Sequence, residues 1–184
     1  MLLKNTSTRF GHISILIHWL VALAVYGMFA LGLWMVTLSY YDVWYHRAPE
    51  FHKSIGSLLF IVMIIRVIWR FISPPPKPLA SHSHFIRIIL RLMQFTLYII
   101  LFGVLFSGYL ISTADGQPIH VFGWFKIPAI LTEKAIQADI AGIIHLYFAW
   151  IVVVFSLLHG LAALKHHFID HDITLKRMFG YKSH

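Results

Sequence analysis

Residues 139–167 read DIAGIIHLYFAWIVVVFSLLHGLAALKHH, and this stretch decides the fold. From Ile140 to Leu164 it runs for 25 residues without Lys, Arg, Asp or Glu, which exceeds the roughly 20 apolar residues that a helix needs to cross a bilayer. His145 and His159 lie inside this run. Their separation in a helix corresponds to about 40° of rotation and about 21 Å of rise. One face of a transmembrane helix therefore carries an imidazole near each membrane surface.

Two imidazoles at membrane depth need polar partners. Ionisable groups there are costly and face the bundle interior or a cavity. Two histidines on one face thus indicate two sites, one above the other, each completed by a ligand from another helix. Paired axial imidazoles of a haem meet this requirement, because a porphyrin offers a wide apolar disc to a helix bundle. The alternative is that each histidine only hydrogen-bonds to a neighbouring helix.

The composition indicates a small integral membrane protein. The chain has 184 residues, of which 59% are hydrophobic and 12% charged, and its mean hydropathy is +0.75. These values argue against a soluble domain. The absence of cysteine excludes disulfides, thiolate metal sites and covalent haem attachment. The net charge of +8 is interpreted as loop charge beside membrane lipid, so no nucleic-acid partner is expected.

Four apolar segments predict an all-α fold, an integral membrane four-helix transmembrane bundle that forms a single domain over residues 1–184. The first segment continues past the small residues Ala22 and Ala24, so we expect a retained span and not a cleaved signal peptide. The longest connection, residues 113–139, is expected to cap one end of the bundle. The predicted helices cover about 13–40, 52–72, 86–112 and 140–164.

Two further histidines and an arginine are predicted to lie near the membrane surfaces, at depths similar to those of His145 and His159. His18 is one to two turns into the first predicted helix, and His52 opens the second. Arg66 follows His52 by 14 residues and therefore shares its face at the other surface. Snorkelling to lipid headgroups would explain Arg66 and Arg70. The alternative is that Arg66 pairs with a haem propionate, which suits bidentate guanidinium–carboxylate geometry.

The distribution of charge sets the orientation. The N-terminal segment, residues 66–91 and the C-terminal tail hold 11 of the 15 Lys and Arg, whereas the other side holds five of the seven acids. The positive-inside rule then places both termini and the proline-rich connector in the cytoplasm.

Depth then pairs the histidines. The first and fourth helices offer an inner pair, His18 with His159, and the second and fourth an outer pair, His52 with His145. The third helix has no histidine in its apolar run and is interpreted as scaffold, because its two glycines lack the small-xxx-small spacing.

These residues resemble the bacterial cytochrome b561 family, the small four-helix dihaem membrane cytochromes. Each motif alone is weak, but their order, spacing and depth together are specific, and the resemblance covers essentially the whole chain. The motifs are Ile17-His18-Trp19, His52-Lys53-Ser54-Ile55-Gly56, the proline-rich loop, His145, and Leu158-His159 to Lys165-His166-His167.

The resemblance implies a protein of the bacterial inner membrane that carries two haem b groups, passes electrons across the membrane and reacts with ubiquinone. The iron ligands it implies are His18, His52, His145 and His159. One member type oxidises superoxide at the periplasmic face and passes the electron to quinone. No motif here specifies that donor, so the periplasmic redox partner stays open. Exposed lysines that would steer an anionic reactant are Lys53, Lys126 and Lys134.

Other functions stay open at this point, as does the oligomeric state. The helices would also suit the haem-bearing membrane anchor of a larger respiratory complex, such as a hydrogenase or formate dehydrogenase. A His-lined proton or metal transporter is a different class, and it predicts a colourless protein. Against the transporter stand the lack of intramembrane carboxylates and of visible inverted repeats. A cofactor-free structural bundle would leave four depth-matched histidines unexplained.

Overall fold

The computed structural model describes residues 2–79, 83–131 and 135–181. Four long helices dominate it, and each is long and apolar enough to cross a membrane. The predicted four-helix membrane bundle is therefore confirmed. Many large apolar side chains remain exposed on the outer faces of these helices, as expected for surfaces that lipid covers. The helices are α1 (His12–Met35), α2 (Arg47–Ile72), α3 (His84–Ser112) and α4 (Ala135–Phe168).

Several helix ends differ from the predicted ones. α2 begins five residues before its predicted start at residue 52. Pro49 lies in its first turn, where a missing N–H leaves no helical hydrogen bond unmade. His52 consequently lies inside α2 and not at its start. α1 ends before its predicted limit, and residues 36–46 form turns. Asp42 accepts hydrogen bonds from the backbone and hydroxyl of Ser39 there, which lowers the pKa of Asp42.

A short β-hairpin is the element that the all-α prediction missed. Strands β1 (Ile119–Val121) and β2 (Phe125–Ile127) pair antiparallel, and Gly123 (φ 75°) takes the positive φ that their turn needs. Ser54 of α2 holds this hairpin in place. Its hydroxyl donates to the His120 carbonyl (3.3 Å) and accepts from the Phe122 N–H (3.2 Å). The long connection thus covers the bundle at the start of α2, which we call the hairpin end.

The opposite end of the bundle gathers both ends of the described chain and the proline-rich connector, and we call it the terminal end. Arg177, in the short helix α5 (Thr174–Arg177), donates to the Lys77 carbonyl from both terminal nitrogens (3.2 and 3.1 Å). Its guanidinium also lies over the Phe10 ring. Trp19 donates its indole N–H to the Met178 carbonyl (3.1 Å). These contacts fix the C-terminal segment against α1.

Packing within the bundle is tightest between α3 and α4, with α1 against α2 and α2 against α3. All four helices contribute buried apolar residues to a core at mid-depth. Gly103 lets α3 approach α4, because a Cβ atom there would lie 2.5 Å from the Phe148 ring. The core residues are Val21, Val25, Leu59, Met63, Leu101, Val152 and Val153.

Gly103→Ala is expected to destabilise the bundle, since the added methyl group forces the Phe148 ring out of its position. Overpacking of this kind costs about 1–3 kcal/mol. Gly160→Ala is the matched control, because a Cβ at Gly160 meets no atom within 4 Å. Thermal unfolding in detergent, followed by circular dichroism, should show a lower Tm for Gly103→Ala alone. Equal Tm values for the two variants would contradict the close α3–α4 contact.

Candidate functional site

Two imidazoles meet inside the hairpin end. His52 of α2 and His145 of α4 have ring centroids 6.1 Å apart, with their planes inclined at 70°. A metal ion bound on opposite sides by two imidazoles, at about 2 Å from each nitrogen, sets the ring centres about 6 Å apart. The observed spacing therefore fits a single metal ion held between His52 and His145.

Helix α3 orients His145. The Nδ1–H of His145 donates to the Val104 carbonyl (2.9 Å), and the Ser107 hydroxyl lies 3.3 Å from the same nitrogen. This hydrogen bond fixes the tautomer and leaves the lone pair on Nε2, the arrangement that metal-binding histidines use. Gly108 makes room for the ring, because a Cβ there would lie 3.1 Å from Cε1 of His145. Helix α3 thus presents His145 in a ligating form.

The surroundings of His52 leave one polar atom unsatisfied. Gly32 of α1 faces the ring, and a Cβ there would lie 3.4 Å from Cε1 of His52. Nδ1 of His52 is buried and has no hydrogen-bond partner among the described residues. Burying a polar atom without a hydrogen bond lowers the stability of the fold by about 1–3 kcal/mol. A polar group of a bound ligand that reached Nδ1 would offset this cost.

A second polar cluster lies towards the terminal end. Arg66 of α2 donates from Nη2 to Nδ1 of His18 (3.1 Å) and from Nε to the Tyr98 hydroxyl (2.9 Å). Its guanidinium also lies 5.4 Å from the centre of the Tyr98 ring. His159 of α4 interacts electrostatically with His18 and Arg66. The structure thus brings Arg66 and His18 into contact, with His159 within electrostatic range of both.

Snorkelling, one interpretation of the two arginines, is wrong for Arg66. This side chain points into the bundle and is held by His18 and Tyr98. The exposed Arg70 also lies near the Tyr98 ring, at 6.0 Å, and donates to Gln94 (3.4 Å). The difference has a physical cause, since the half-buried Tyr98 hydroxyl and the His18 imidazole offer Arg66 acceptors that lipid-facing helix surfaces lack.

An apolar layer separates the two clusters. His145, Val152 and His159 follow one another at seven-residue intervals, so they share one face of α4. Val152 is only 5% exposed and belongs to the mid-depth core. The two polar clusters are about 21 Å apart along the helix by the rise per residue. Water-excluding side chains therefore fill the space between them.

Helix α3 contributes residues to both polar clusters, a role that its interpretation as scaffold did not include. Tyr98 holds Arg66, and Val104, Ser107 and Gly108 surround His145. The glycines are the only signal of this role in the sequence. Spacing cannot show that a backbone carbonyl will accept a hydrogen bond from another helix.

The hairpin end also carries an open cleft of about 330 Å³. Lys53, the residue after His52, lines it and is exposed, as is Lys126 on β2. Lys134, the third lysine considered for contact with an anion, lies outside the described residues. The lining residues are Met35, Tyr45, His46, Pro49, Glu50 and Lys53.

Fold and site together define a multi-pass membrane protein in which histidines from three helices form two polar clusters, stacked along the membrane normal. The family model for prokaryotic cytochrome b561 matches residues 9–181. The chain belongs to this family of membrane haem proteins, and the family implies a b-type haem and electron transfer. This membership favours haem binding over a His-lined transporter or a cofactor-free bundle.

Three relatives match almost the whole chain. "Cytochrome b561 homolog 2" of Escherichia coli (strain K12) is 61% identical over 183 residues, which cover 100% of this chain and 97% of the relative. "Cytochrome b561 homolog 1" of the same strain is 28% identical over 92% of this chain and 96% of its own length. "Probable superoxide oxidase CybB" of Yersinia pestis is 26% identical over 95% of this chain and 97% of its own length.

Ser54→Ala is expected to loosen the hairpin above His52, because it removes two hydrogen bonds that together contribute about 1–3 kcal/mol. Hydrogen–deuterium exchange by mass spectrometry should show faster exchange in residues 119–127 and unchanged exchange in α3. Ser57→Ala is the matched control, since within the described part of the chain the Ser57 hydroxyl bonds only to the Lys53 carbonyl of its own helix. Unchanged hairpin exchange in Ser54→Ala would contradict this anchoring.

Proposed function

We propose that the protein is a dihaem b-type cytochrome that relays electrons from a one-electron donor at the hairpin end to ubiquinone. The observation that carries this proposal is the position of two imidazoles on one face of α4, of which His145 lies 6.1 Å from the ring of His52 and His159 lies within electrostatic range of His18. Haem, when bound, supplies the one-electron redox chemistry. The protein would supply the histidines that hold the haem iron, their orientation and a dry interior.

His52 and His145 would hold one haem, and His18 and His159 the other. The 6.1 Å between the rings of the first pair supports this assignment, as does the Nε2 lone pair that the Val104 carbonyl selects on His145. Between the pairs, the apolar core at Val152 keeps water away from the path of the electron.

Arg66 would bind a haem propionate at the terminal-end pair. A guanidinium only donates hydrogen bonds, so the nitrogen of His18 that it contacts must be an acceptor here. If His18 instead binds iron through Nε2, its Nδ1 carries the proton and two donors face each other. The hydrogen bond between Arg66 and His18 would then break. The Arg66 guanidinium, which Tyr98 still holds near the site, would be available to a carboxylate.

The protein would lie in the bacterial inner membrane with the terminal end in the cytoplasm. Most of the basic residues of the chain lie in the segments that meet at that end, and such segments stay on the cytoplasmic side. The hairpin end would then face the periplasm and receive the donor. The name of the Yersinia pestis relative makes superoxide a candidate donor, and Lys53 and Lys126 would attract this anion.

His159→Ala is expected to remove one of the two haems and to leave the other, and His52→Ala should do the same at the other site. The reason is that each variant deletes one axial ligand of one pair only. Haem per chain, measured as the pyridine haemochrome against protein concentration, should fall by half in either variant. His84→Ala, at the exposed start of α3, is the control and should keep both haems. Loss of neither haem in His159→Ala would refute the pairing.

Arg66→Met is expected to lower the midpoint potential of one haem, because a nearby cation favours the reduced, less positive iron. The shift should be on the order of tens of millivolts, and a redox titration of the visible spectrum measures it. Arg70→Met is the matched control, since Arg70 contacts the same Tyr98 ring from an exposed position. An unchanged potential in Arg66→Met would contradict a role for Arg66 at the haem.

A further inference from the structure

A row of five aromatic rings lies at the hairpin end. The rings of Trp34, Trp44, Phe51, Phe122 and Trp124 follow one another in this order, with neighbouring centroids 6.0, 6.3, 5.8 and 5.5 Å apart. They come from the last turn of α1, from the segment that leads into α2, and from the hairpin. All five side chains are exposed, from 38% for Phe122 to 74% for Trp124. We call these five residues the aromatic band.

The aromatic band lies at the depth of the membrane surface. The 24 residues of α1 span about 36 Å, slightly more than the roughly 30 Å of hydrocarbon in a bilayer, so the ends of this helix lie among the head groups. Trp34 is the last residue but one of α1, and Phe51 is the fifth residue of α2. Tryptophan collects at this depth, because its ring is apolar except for one N–H group.

The aromatic band also continues the surface that faces lipid. Four exposed residues follow one another at helical spacing and therefore share one face of α1. They are Leu23, Gly27, Ala30 and Trp34. Leu23 alone is 72% exposed, and a continuous apolar surface of this extent is unfavourable in water. Lipid that covers α1 therefore reaches the aromatic band without a break.

A cation lies on the water side of the band. Arg47 begins α2 and is exposed. It precedes Phe51 by four residues, so the two side chains lie on the same side of the helix, with Arg47 about 6 Å further from the membrane centre. Long basic side chains at helix ends reach the phosphate groups of lipid. A cation outside and an aromatic ring inside match the order of charge and apolar surface in a phospholipid head-group layer.

The hairpin presents its rings at a conformational cost. Phe122 has a φ of 47°, which a bulky side chain seldom adopts. The turn is closed by a hydrogen bond from the Trp124 N–H to the Val121 carbonyl (2.9 Å), and the Phe122 N–H donates to the Ser54 hydroxyl (3.2 Å). Asn or Gly would suit the backbone better at this position. Strain of this kind points to a function for the side chain that causes it.

We propose that the aromatic band is an anchor in the head-group layer of the bilayer, and that its contact with phospholipid holds the hairpin over His52. The depth of the rings, their continuity with the lipid-facing side of α1 and the position of Arg47 favour lipid over a second copy of the chain or another protein. The hairpin then lies along the membrane surface and does not project into water. The proposal is independent of the redox function, because it concerns only the outer surface of the bundle.

The first test measures whether lipid covers the hairpin. The chain has no cysteine, so a single introduced thiol reports only its own surroundings. Trp124→Cys is placed in phosphatidylcholine nanodiscs that hold one chain each and is treated with a charged maleimide, which modifies thiolates in water. Gln117→Cys, exposed in the same connection, gives the aqueous rate, and Val154→Cys, 48% exposed beside the mid-depth core, gives the rate in lipid.

Trp124→Cys is expected to react about 10-fold or more slowly than Gln117→Cys, because a thiol in lipid ionises poorly. The protein alone cannot cause this protection, since the Trp124 side chain is exposed. Nor can a second copy, since each nanodisc holds one chain. Equal rates for Trp124→Cys and Gln117→Cys would overturn the proposal and leave the aromatic band free for a protein partner.

The second test asks whether this contact holds the hairpin. Phe122→Asn removes one ring and relieves the backbone, so strain relief alone would slow hydrogen–deuterium exchange in residues 119–127. Loss of the lipid contact is instead expected to speed this exchange in nanodiscs by about 3-fold or more. Gly123→Asn is the matched control, since it places the same residue in the same turn, where a Cβ meets no atom within 4 Å, and removes no ring. Unchanged or slower exchange in Phe122→Asn would overturn the anchoring role.

Discussion

The need to satisfy imidazoles inside a membrane-spanning bundle governs this structure. Lipid offers no hydrogen bonds, so every polar group at membrane depth must find its partner on another helix or in a ligand. Helix α4 carries His145 and His159 on one face, and the other helices are arranged around them. α3 supplies a carbonyl to His145, α2 brings His52 beside it, and α1 brings His18 to the other end.

Small residues make this arrangement possible. Glycines at 32, 103 and 108 let imidazole and phenyl rings lie directly against neighbouring backbones. The apolar core at mid-depth then keeps the two polar clusters apart. A bundle built in this way has two separate polar clusters with an apolar interval between them. Such an interval excludes water but does not prevent an electron from passing. The C-terminal segment and the hairpin close its two ends.

The four spans could be predicted because apolar runs of this length form membrane-spanning helices. The depths of His18, His52, His145 and His159 followed from helical rise, and in the structure the rings of His52 and His145 lie 6.1 Å apart. What could not be predicted depends on contacts between helices. Two such contacts are the hydrogen bond from Arg66 to Tyr98 and the hydrogen bond from His145 to the Val104 carbonyl. Neither leaves a periodic signal in the sequence. The hairpin was missed because its two strands have only three residues each.

We propose that each pair of imidazoles holds one haem iron. Electron paramagnetic resonance of the oxidised wild-type protein, combined with iron per chain, tests it most directly. We expect about two irons per chain, both with the low-spin ferric signal of iron bound by two imidazoles. A single iron, or a high-spin signal that marks an iron with one protein ligand, would contradict it.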